Sequence, residues 1–486
     1  MPGPWTQAQT SDTGQRPGLY MNFQSEATAL ITGGLTGIVA IGGIALWGPD
    51  EVVQEIVNET EIENYYTKVE TAVDLPFAIS QALKGGAASV LAFRMEGVGA
   101  AKGTSILLDT IGGSLITLSG KYNGARANSF TVTVTTNAQN AVRKDITLEE
   151  GSTVLKVWTT TIDNGVSGMT DALVAQINAD TTNYYVTAAR VTVGNETLVN
   201  VADQVFASGN DGAAILAADY TVMMDALEVE QFSVFCTDVQ DAGILTSIKT
   251  WVTDDMRGTG KKIMWVTGAA LADVVASAQA DAEGYNHEGI IYVYPGFKYD
   301  DFADAAQTAK GSAAAARIAG IIASRDLDKS VTFFELTDVN DVEIRLGNAD
   351  IKELLASGVL VLVYDGNKFK IERGINTLTT LSSTQNSQFK KIQVMRILDG
   401  IENSMTISAA DNIVGKFLNN DAGQRIMLTL MRDFLYGLAQ RGIIDTDFTV
   451  ELDDQYESTG DQLYIKIGVR PIDSIEYIYV VVTVQV

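Results

Sequence analysis

Strand-like apolar segments and amphipathic helical segments alternate along residues 216–324, and this alternation constrains the fold more than any other feature of the chain. Alternating strands and helices predict a mostly parallel sheet that is covered by helices. Within 240–256, apolar residues recur at helical spacing and define one buried face; they are Ile244, Leu245, Ile248, Trp251 and Val252. The predicted helices are 216–229, 240–256, 270–282 and 303–324, and the predicted strands are 231–236, 262–267 and 290–294.

The regions before and after this alternation differ from it in composition and in hydrophobic pattern. Residues 97–205 are rich in Thr, Val, Asn and Gly and contain period-two runs such as Phe130–Val134, which predict an inserted all-β sandwich. Downstream, a hairpin pattern in 350–373 and two amphipathic helices indicate an α+β carboxy-terminal domain. The sequence therefore predicts an α/β multidomain chain with extended arms at both ends. The predicted segments are 1–24, 25–96, 97–205, 206–349, 350–474 and 475–486.

Length and charge restrict the class of protein. A chain of 486 residues with 46% hydrophobic content is long enough for roughly three or four domains. Its formal net charge is −26, which argues against a groove that follows nucleic-acid phosphates, since such a groove needs a basic surface. Cys236 is the only cysteine, so an intrachain disulfide is excluded, and its apolar neighbours predict a buried strand residue. The six carboxylates of 50–63 are expected to form a solvated face.

An uncharged stretch, residues 27–49, is long enough to suggest a transmembrane helix. Six glycines interrupt it, and no basic flank marks a cytoplasmic side. We therefore expect buried strands and turns, and no membrane insertion. The first 26 residues also lack the basic and apolar regions of a signal peptide.

Catalytic motifs are incomplete. The single histidine, His287, lies in a polar loop and is expected to be a surface residue. Gly103–Ser105 resembles a protease nucleophile signature but precedes that histidine, and Gly258–Lys262 lacks the first glycine and the hydroxyl residue of a phosphate loop. We expect no catalytic residue, cofactor or metal, although the many carboxylates leave a paired-acid hydrolase open.

Both ends of the chain read as arms. Residues 476–486 form one uninterrupted strand pattern, and the chain stops inside it. An uncovered strand presents unpaired backbone groups, so unless it joins its own sheet it is expected to pair with another chain. At the other end, a small, polar segment precedes the extended residues 16–23.

Several motifs, in order along nearly the whole chain, resemble the tail sheath proteins of contractile bacteriophages, a family shared with contractile bacteriocins and related injection machines. The turn at Lys121–Asn128 is similar to a family motif but departs from it at Asn123 and Ala127. The other segments that carry the resemblance are Trp5 with Arg16–Phe23, Gly37–Pro49, Asp219–Tyr220, Leu227–Glu228, Ala319–Ala323, Ser330–Thr332, Gly415–Lys416, Asn419–Asn420, Gly423–Arg425 and Val469–Tyr479.

The resemblance implies a structural subunit and no enzyme. Such a subunit stacks as hexameric rings around an inner tube and contracts to drive the tube through a bacterial envelope. Its partners would be further copies of itself, the inner tail tube protein, and the baseplate and tail terminator proteins. The location would be a virion tail assembled in the bacterial cytoplasm, and the central domain would have a subtilisin-like shape without protease chemistry.

Two sets of residues are candidates for contacts in such an assembly. The inter-subunit arms comprise Arg16, Pro17, Gly18, Leu19, Tyr20 and Phe23 at the amino end, with Ile475, Tyr477, Tyr479, Val481 and Thr483 at the carboxy end. Basic residues of the carboxy-terminal domain are the candidates for contact with the inner tube; they are Lys390, Lys391, Arg396 and Arg425. Two alternatives remain open, an acidic intracellular α/β hydrolase and another self-assembling shell protein.

Overall fold

The computed structural model describes residues 37–66, 75–160, 168–191, 197–300 and 306–484. The chain divides into two compact units. Of the described residues, those within 37–403 and 471–484 form the core unit, and 404–470 form the second unit. The predicted amino-terminal arm, with Arg16, Pro17, Gly18, Leu19, Tyr20 and Phe23, lies outside the described residues.

The described residues contain ten α-helices and twenty β-strands. The first elements are β1 (Ile38–Ile44), β2 (Val53–Ile56), α1 (Glu59–Tyr65), α2 (Leu75–Lys84) and β3 (Ser89–Met95). The β-region, residues 97–205, then contributes β4 (Thr104–Leu108), β5 (Ser114–Gly120), β6 (Phe130–Thr136), β7 (Lys144–Glu150), β8 (Thr153–Thr159), α3 (Gly168–Ala179), β9 (Val186–Arg190) and β10 (Val201–Val205).

The remaining elements follow the alternation that the sequence predicts. They are α4 (Ala217–Glu228), β11 (Val234–Thr237), α5 (Ala242–Thr250), β12 (Met264–Gly268), α6 (Val275–Tyr285), β13 (Ile290–Tyr294), β14 (Phe297–Asp300), β15 (Ala306–Ala309), α7 (Gly311–Ser324), β16 (Asp341–Val342), α8 (Asn348–Ala356), β17 (Val359–Tyr364) and β18 (Phe369–Ile371). The last are α9 (Ile392–Asn412), α10 (Asp421–Gln440), β19 (Thr449–Leu452) and β20 (Ile465–Gly468).

An eight-stranded sheet forms the centre of the core unit, in the order β18-β17-β13-β12-β11-β1-β3-β2. The six inner strands are parallel to one another, whereas β2 and β18 pair antiparallel at the two edges. The mostly parallel sheet that the alternation predicts is therefore present. Cys236 lies in β11 and is buried, as predicted.

Helices cover both faces of this sheet, so its strands are apolar on both sides. Val39 and Ile41 of β1 face a cluster that includes α2 and α7, whereas Ala40 faces a cluster that includes α4 and α5. Helix α7 is buried from Gly311 to Ala323. A Cβ on its Gly320 would lie 2.1 Å from the carbonyl oxygen of Ala82, so glycine here permits α2 and α7 to approach closely.

The β-region consists of two antiparallel sheets, β10-β6-β7-β8 and β4-β5-β9, around an apolar cluster that includes Phe130 and Trp158. The prediction that this region is all-β was wrong, because α3 lies between β8 and β9. Leu173 and Ile177 of α3 are buried in the same cluster, and the helix therefore forms part of the core of the β-region.

Arg94 of β3 lies where the sheet meets the β-region. Its fully buried guanidinium donates to the carbonyl oxygens of Ala45 and Asn123 and forms an ion pair of 2.6 Å with Asp50. Asp50 also accepts from the backbone N–H of Asn123 at 3.1 Å. The expectation that all six carboxylates of 50–63 are solvated was therefore wrong for Asp50, because Arg94 and the Asn123 amide hold it in a partly buried site.

Three predicted helices have different bounds in the structure. The predicted helix 270–282 is shifted towards the carboxy terminus and spans Val275–Tyr285. The predicted helix 303–324 begins only at Gly311, because residues 306–309 pair with β14 as β15; residues 301–305 lie outside the described part of the chain. The predicted helix 240–256 changes from α5 to a π-helical turn at Trp251–Met256. Its buried face is nevertheless present, since Ile248, Trp251 and Val252 are buried.

The second unit contains α10 and the antiparallel pair β19–β20, and α9 crosses into it after residue 403. Met427 and Leu430 of α10 pack with Leu463 and Ile465. No helix in the described part of the chain is both long enough and apolar enough to cross a bilayer. Of the apolar stretch 27–49, residues 38–44 form β1, and residues 27–36 lie outside the described part.

Candidate functional site

The carboxy-terminal segment, residues 471–484, exposes a run of apolar side chains. Tyr479 is 90% exposed and Val481 is 92% exposed, and Ile475, Tyr477 and Thr483 are exposed as well. Of the predicted strand 475–486, residues 475–484 are described, and they pair with no strand of the described sheets. An exposed apolar run with unpaired backbone groups is suited to pairing with another chain.

A cluster of charged and polar side chains holds the base of this segment. The Glu476 carboxylate lies 3.0 Å from Nε of Arg373 and 3.1 Å from Nζ of Lys391. It also accepts a hydrogen bond of 3.0 Å from the Thr332 hydroxyl. Lys391 forms a second ion pair of 2.5 Å with Asp473. We call these five residues the anchor cluster.

The electrostatics of the anchor cluster favour ionised Glu476. Only 6% of the Glu476 side chain is exposed. Burial alone would raise the pKa of this carboxyl, but the hydrogen bond and charge of Lys391, with Thr332 and Arg373, hold the pKa below its ordinary value. Glu476 therefore remains charged and bound at neutral pH.

The sequence reasoning missed the anchor cluster as a unit. Glu476 lies 144 positions from Thr332 and 103 positions from Arg373, so only the folded core brings them together. The one signal available in the sequence was an acidic pair, Asp473 and Glu476, just before an apolar strand pattern.

The pair β19–β20 of the second unit is a candidate acceptor for an added strand. Within the described residues each of its strands has one strand partner, and on the outer edge of β19 the carbonyl oxygen of Val450 accepts a hydrogen bond of 2.7 Å from Arg432. A two-stranded ribbon is marginal in water and gains stability from further strands. The outer edges of this pair can therefore accept an added strand.

The structure does not bring the four candidate tube-contact residues to one free basic surface. Arg396 is buried, its pKa is lowered to about 10 by burial, and it donates to the carbonyl oxygens of Arg325 and Asp326. Lys390 donates to the carbonyl oxygen of Thr379 at 2.9 Å, and Lys391 belongs to the anchor cluster. Arg425, on α10 of the second unit, is exposed.

The expectation that His287 is a surface residue was wrong, because it is half-buried with 23% of its side chain exposed. Its Nδ1 accepts from the backbone N–H of Gly289 at 3.0 Å, and burial lowers its pKa, against the opposing charge of Glu288. The burial comes from the loop that follows β18, since the His287 amide donates to the Thr377 hydroxyl.

The residues of the incomplete catalytic motifs lie in the fold as follows. Ser105 is buried in β4, and its hydroxyl has no hydrogen-bond partner among the described residues. Lys262 lies just before β12, donates to the carbonyl oxygen of Arg257 and pairs with Glu402 at 3.2 Å. In the described ranges, no three His, Cys, Asp or Glu side chains are grouped as a metal site would require.

Two parts of the chain match known protein families. Residues 213–377 match the phage tail sheath protein central domain, and residues 384–485 match the phage tail sheath C-terminal domain. Together the two matches span more than half of the chain.

Two similar proteins match nearly the whole chain, and a third matches about half of it. It is 26% identical to the uncharacterized protein YqbK of Bacillus subtilis over 97% of both chains, and 25% identical to the phage-like element PBSX protein XkdK of the same organism over 96% of both. It is 26% identical to the tail sheath protein of Clostridium phage phiCD119 over 231 residues, which cover 48% of this chain and 60% of that protein.

Solved structures with a similar fold include sheath proteins. The sheath tail protein of Desulfitobacterium hafniense superposes with a TM-score of 0.71 at 24% identity, over 95% of this chain and 99% of that one. The contracted helical sheath of the anti-feeding prophage superposes with a TM-score of 0.55 at 12% identity, over 97% and 99%. At these identities the superpositions show a shared fold.

Proposed function

The chain belongs to the phage tail sheath protein family, and we propose that it polymerises as stacked hexameric rings around an inner tube and contracts to drive that tube through a bacterial envelope. In this proposal its central α/β domain has the subtilisin-like shape of the family, with residues 97–205 inserted as a separate domain and no enzymatic role. The energy for contraction is stored in a metastable extended lattice, so no nucleotide site is required.

The exposed apolar run of the carboxy-terminal segment carries this proposal. Ile475, Tyr477, Tyr479, Val481 and Thr483 are all exposed in the isolated chain. In the assembly this segment adds as a strand to a neighbouring subunit. Backbone hydrogen bonds then supply the directional contact, and alternate side chains pack on the acceptor.

The edges of β19 and β20 are the proposed acceptor for that strand. Both strands lie in the second unit, whereas the carboxy-terminal segment belongs to the core unit. Donation between copies would link the core unit of one subunit to the second unit of the next. The amino-terminal arm, residues 16–23, is proposed to pair with a further neighbour.

Deletion of residues 475–486 tests the proposed function. We expect the full-length chain to form hollow tubes in negative-stain electron microscopy and the shortened chain to remain a monomer. Circular dichroism should be unchanged, and the melting temperature should match that of full-length Glu476→Gln, since Glu476 is the deleted residue whose side chain is bound to the core unit. Tubes formed by the shortened chain would contradict strand donation. A full-length chain that gives only monodisperse particles or flat lattices would favour a hydrolase or a shell protein.

Contact with the inner tube is a separate proposal. We keep Arg425 as the candidate, because its side chain is exposed, whereas Lys390, Lys391 and Arg396 donate to groups of the core unit. Arg425→Glu should weaken co-assembly with the tube protein and leave sheath polymers intact. Arg345→Glu, at an exposed arginine of the core unit, is the control. Unchanged co-assembly of Arg425→Glu would overturn this contact.

Baseplate and tail terminator proteins are the remaining proposed partners, at the two ends of the polymer. The proposed location is the tail of a virion or a related particle, assembled in the bacterial cytoplasm. Neither nucleic-acid binding nor membrane insertion forms part of the proposed function.

A further inference from the structure

The carboxy-terminal segment follows one unit in the sequence but packs with the other. Residues 471–484 directly follow the second unit, which ends with Arg470, yet they pack with the core unit. The anchor cluster makes this attachment. Asp473 and Glu476 come from the segment, and Thr332, Arg373 and Lys391 come from the core unit.

The segments on the core side of the anchor cluster are joined by backbone contacts. Arg373 and Lys391 lie in backbone segments that pair with each other, since Ile375 forms a β-bridge with Lys391. The Thr332 hydroxyl also accepts from the backbone N–H of Gly374 at 3.0 Å. Three separate stretches of the core unit therefore form one preformed socket for a carboxylate.

Charges within the socket are balanced, because two basic side chains face two carboxylates. The ion pairs are partly shielded from solvent: 6% of the Glu476 side chain and 15% of the Lys391 side chain are exposed, against 27% for Asp473 and 30% for Arg373. Shielded pairs are screened less by salt than exposed ones. Beyond Glu476, the guanidinium of Arg373 lies 5.5 Å from the centre of the Tyr477 ring. Residues 478–484 are exposed after this point.

We infer that the anchor cluster is the point at which tension on the donated strand enters the core unit, so that the load bypasses the second unit of the same chain. This inference rests on the proposed function, because it requires the segment to be donated to a neighbour. Arg373 and Lys391 are positioning residues in this role: they fix where the strand leaves the core and in which direction.

Spin labelling of the unassembled full-length chain tests the anchor directly. Cys236 is buried, so a cysteine introduced at Ile475 or Val481 is the accessible thiol for a nitroxide. We expect an immobilised spectral component at position 475 and a mobile spectrum at position 481. Glu476→Gln should remove the immobilised component at 475. Glu335→Gln, which breaks an exposed ion pair with Lys368 in the same unit, should leave it unchanged.

Polymer resistance to a chaotropic salt tests the load-bearing role. Polymers of Glu476→Gln should dissociate at a lower salt concentration than wild-type or Glu335→Gln polymers. Equal resistance would overturn the load path and leave the proposed function standing. A position 475 that is as mobile as 481 in the wild type would overturn the anchor itself. A wild-type chain that forms no polymer would overturn the proposed function and the load path together, while the spectra would still decide whether the anchor exists.

Discussion

Arg257 and Asp399 lie 142 positions apart in the sequence and face each other through two hydrogen bonds of 2.8 and 2.9 Å. Arg257 ends the helical stretch that follows α5, and Asp399 lies on α9. Both residues are buried, and Arg257 also donates to the carbonyl oxygen of Ile263 at 2.7 Å. This bidentate pair fixes the first half of α9 against the central α/β layer.

Removal of one partner of this pair should be strongly destabilising. Asp399→Asn leaves a buried guanidinium without its counter-charge, which costs about 3–5 kcal/mol of unfolding free energy. Chemical denaturation followed by circular dichroism measures the loss. Glu402→Gln breaks the nearby ion pair with Lys262. The Glu402 side chain is 49% exposed, so the loss of unfolding free energy should be less than about 1 kcal/mol. Equal effects of the two substitutions would contradict the importance of burial.

His287 should give the core unit a pH-dependent stability. Burial lowers its pKa in the folded chain below the ordinary 6.5. The unfolded chain therefore binds the proton first, and the unfolding free energy falls as the pH drops below 6.5, by up to about 1.4 kcal/mol for each pH unit until the folded pKa is reached.

His287→Asn should remove this part of the pH dependence. Asparagine offers an uncharged acceptor to the Gly289 amide, so the loop can keep its hydrogen bond. His287 is the only histidine of the chain, which makes it the one side chain with an ordinary pKa in this range. Denaturation midpoints between about pH 5.5 and 7 provide the measurement. An identical pH profile for the wild type and the variant would show that another group is responsible.

Gly320→Ala should disrupt the contact between α2 and α7. The added methyl would overlap the Ala82 carbonyl oxygen, and overpacking of this kind costs about 1–3 kcal/mol. Gly400→Ala on α9 is the matched control, because its Cβ would lie 3.6 Å from Leu327, an ordinary contact. That variant should gain up to about 1 kcal/mol from helix propensity. Thermal unfolding should therefore shift in opposite directions, and a shared direction would be inconsistent with the packing.

Proline in the carboxy-terminal segment should block polymerisation without affecting the monomer. Proline has no backbone N–H, so it removes a ladder hydrogen bond from an added strand. Neighbouring N–H groups point to opposite edges, so the variant carries proline at both Val480 and Val481. Val480→Thr with Val481→Thr keeps the backbone donors and is the control. Sedimentation and electron microscopy should show tubes only for the control, with equal melting temperatures for both.

The parallel sheet could be predicted from the sequence because its strands and helices carry strong local patterns. Ile290–Tyr294 is a continuous apolar run, and the face of 240–256 has clear helical spacing. Helix α3 also had a signal, since Met169, Leu173 and Ile177 recur every four residues and are buried. The Thr- and Val-rich strands on either side of the helix obscure that spacing in the sequence.

Other features depend on contacts between distant segments. Residues 306–309 lack an alternating apolar pattern, so only the register with β14 makes them a strand. His287 looked like a surface residue because the segment that covers it, with Thr377, follows 90 positions later. The anchor cluster has the same origin, since opposite charges in a sequence do not reveal which of them meet.

The exposed run at Tyr477–Val484 also makes an unassembled subunit prone to aggregation. An uncharged, apolar segment of this kind pairs without discrimination, with a neighbour or with a misfolded chain. The net charge of −26 slows such encounters in dilute solution and does so less as salt rises. The rate of synthesis therefore matters: a cell that makes subunits faster than they assemble accumulates the unassembled form, which is the form most prone to aggregate.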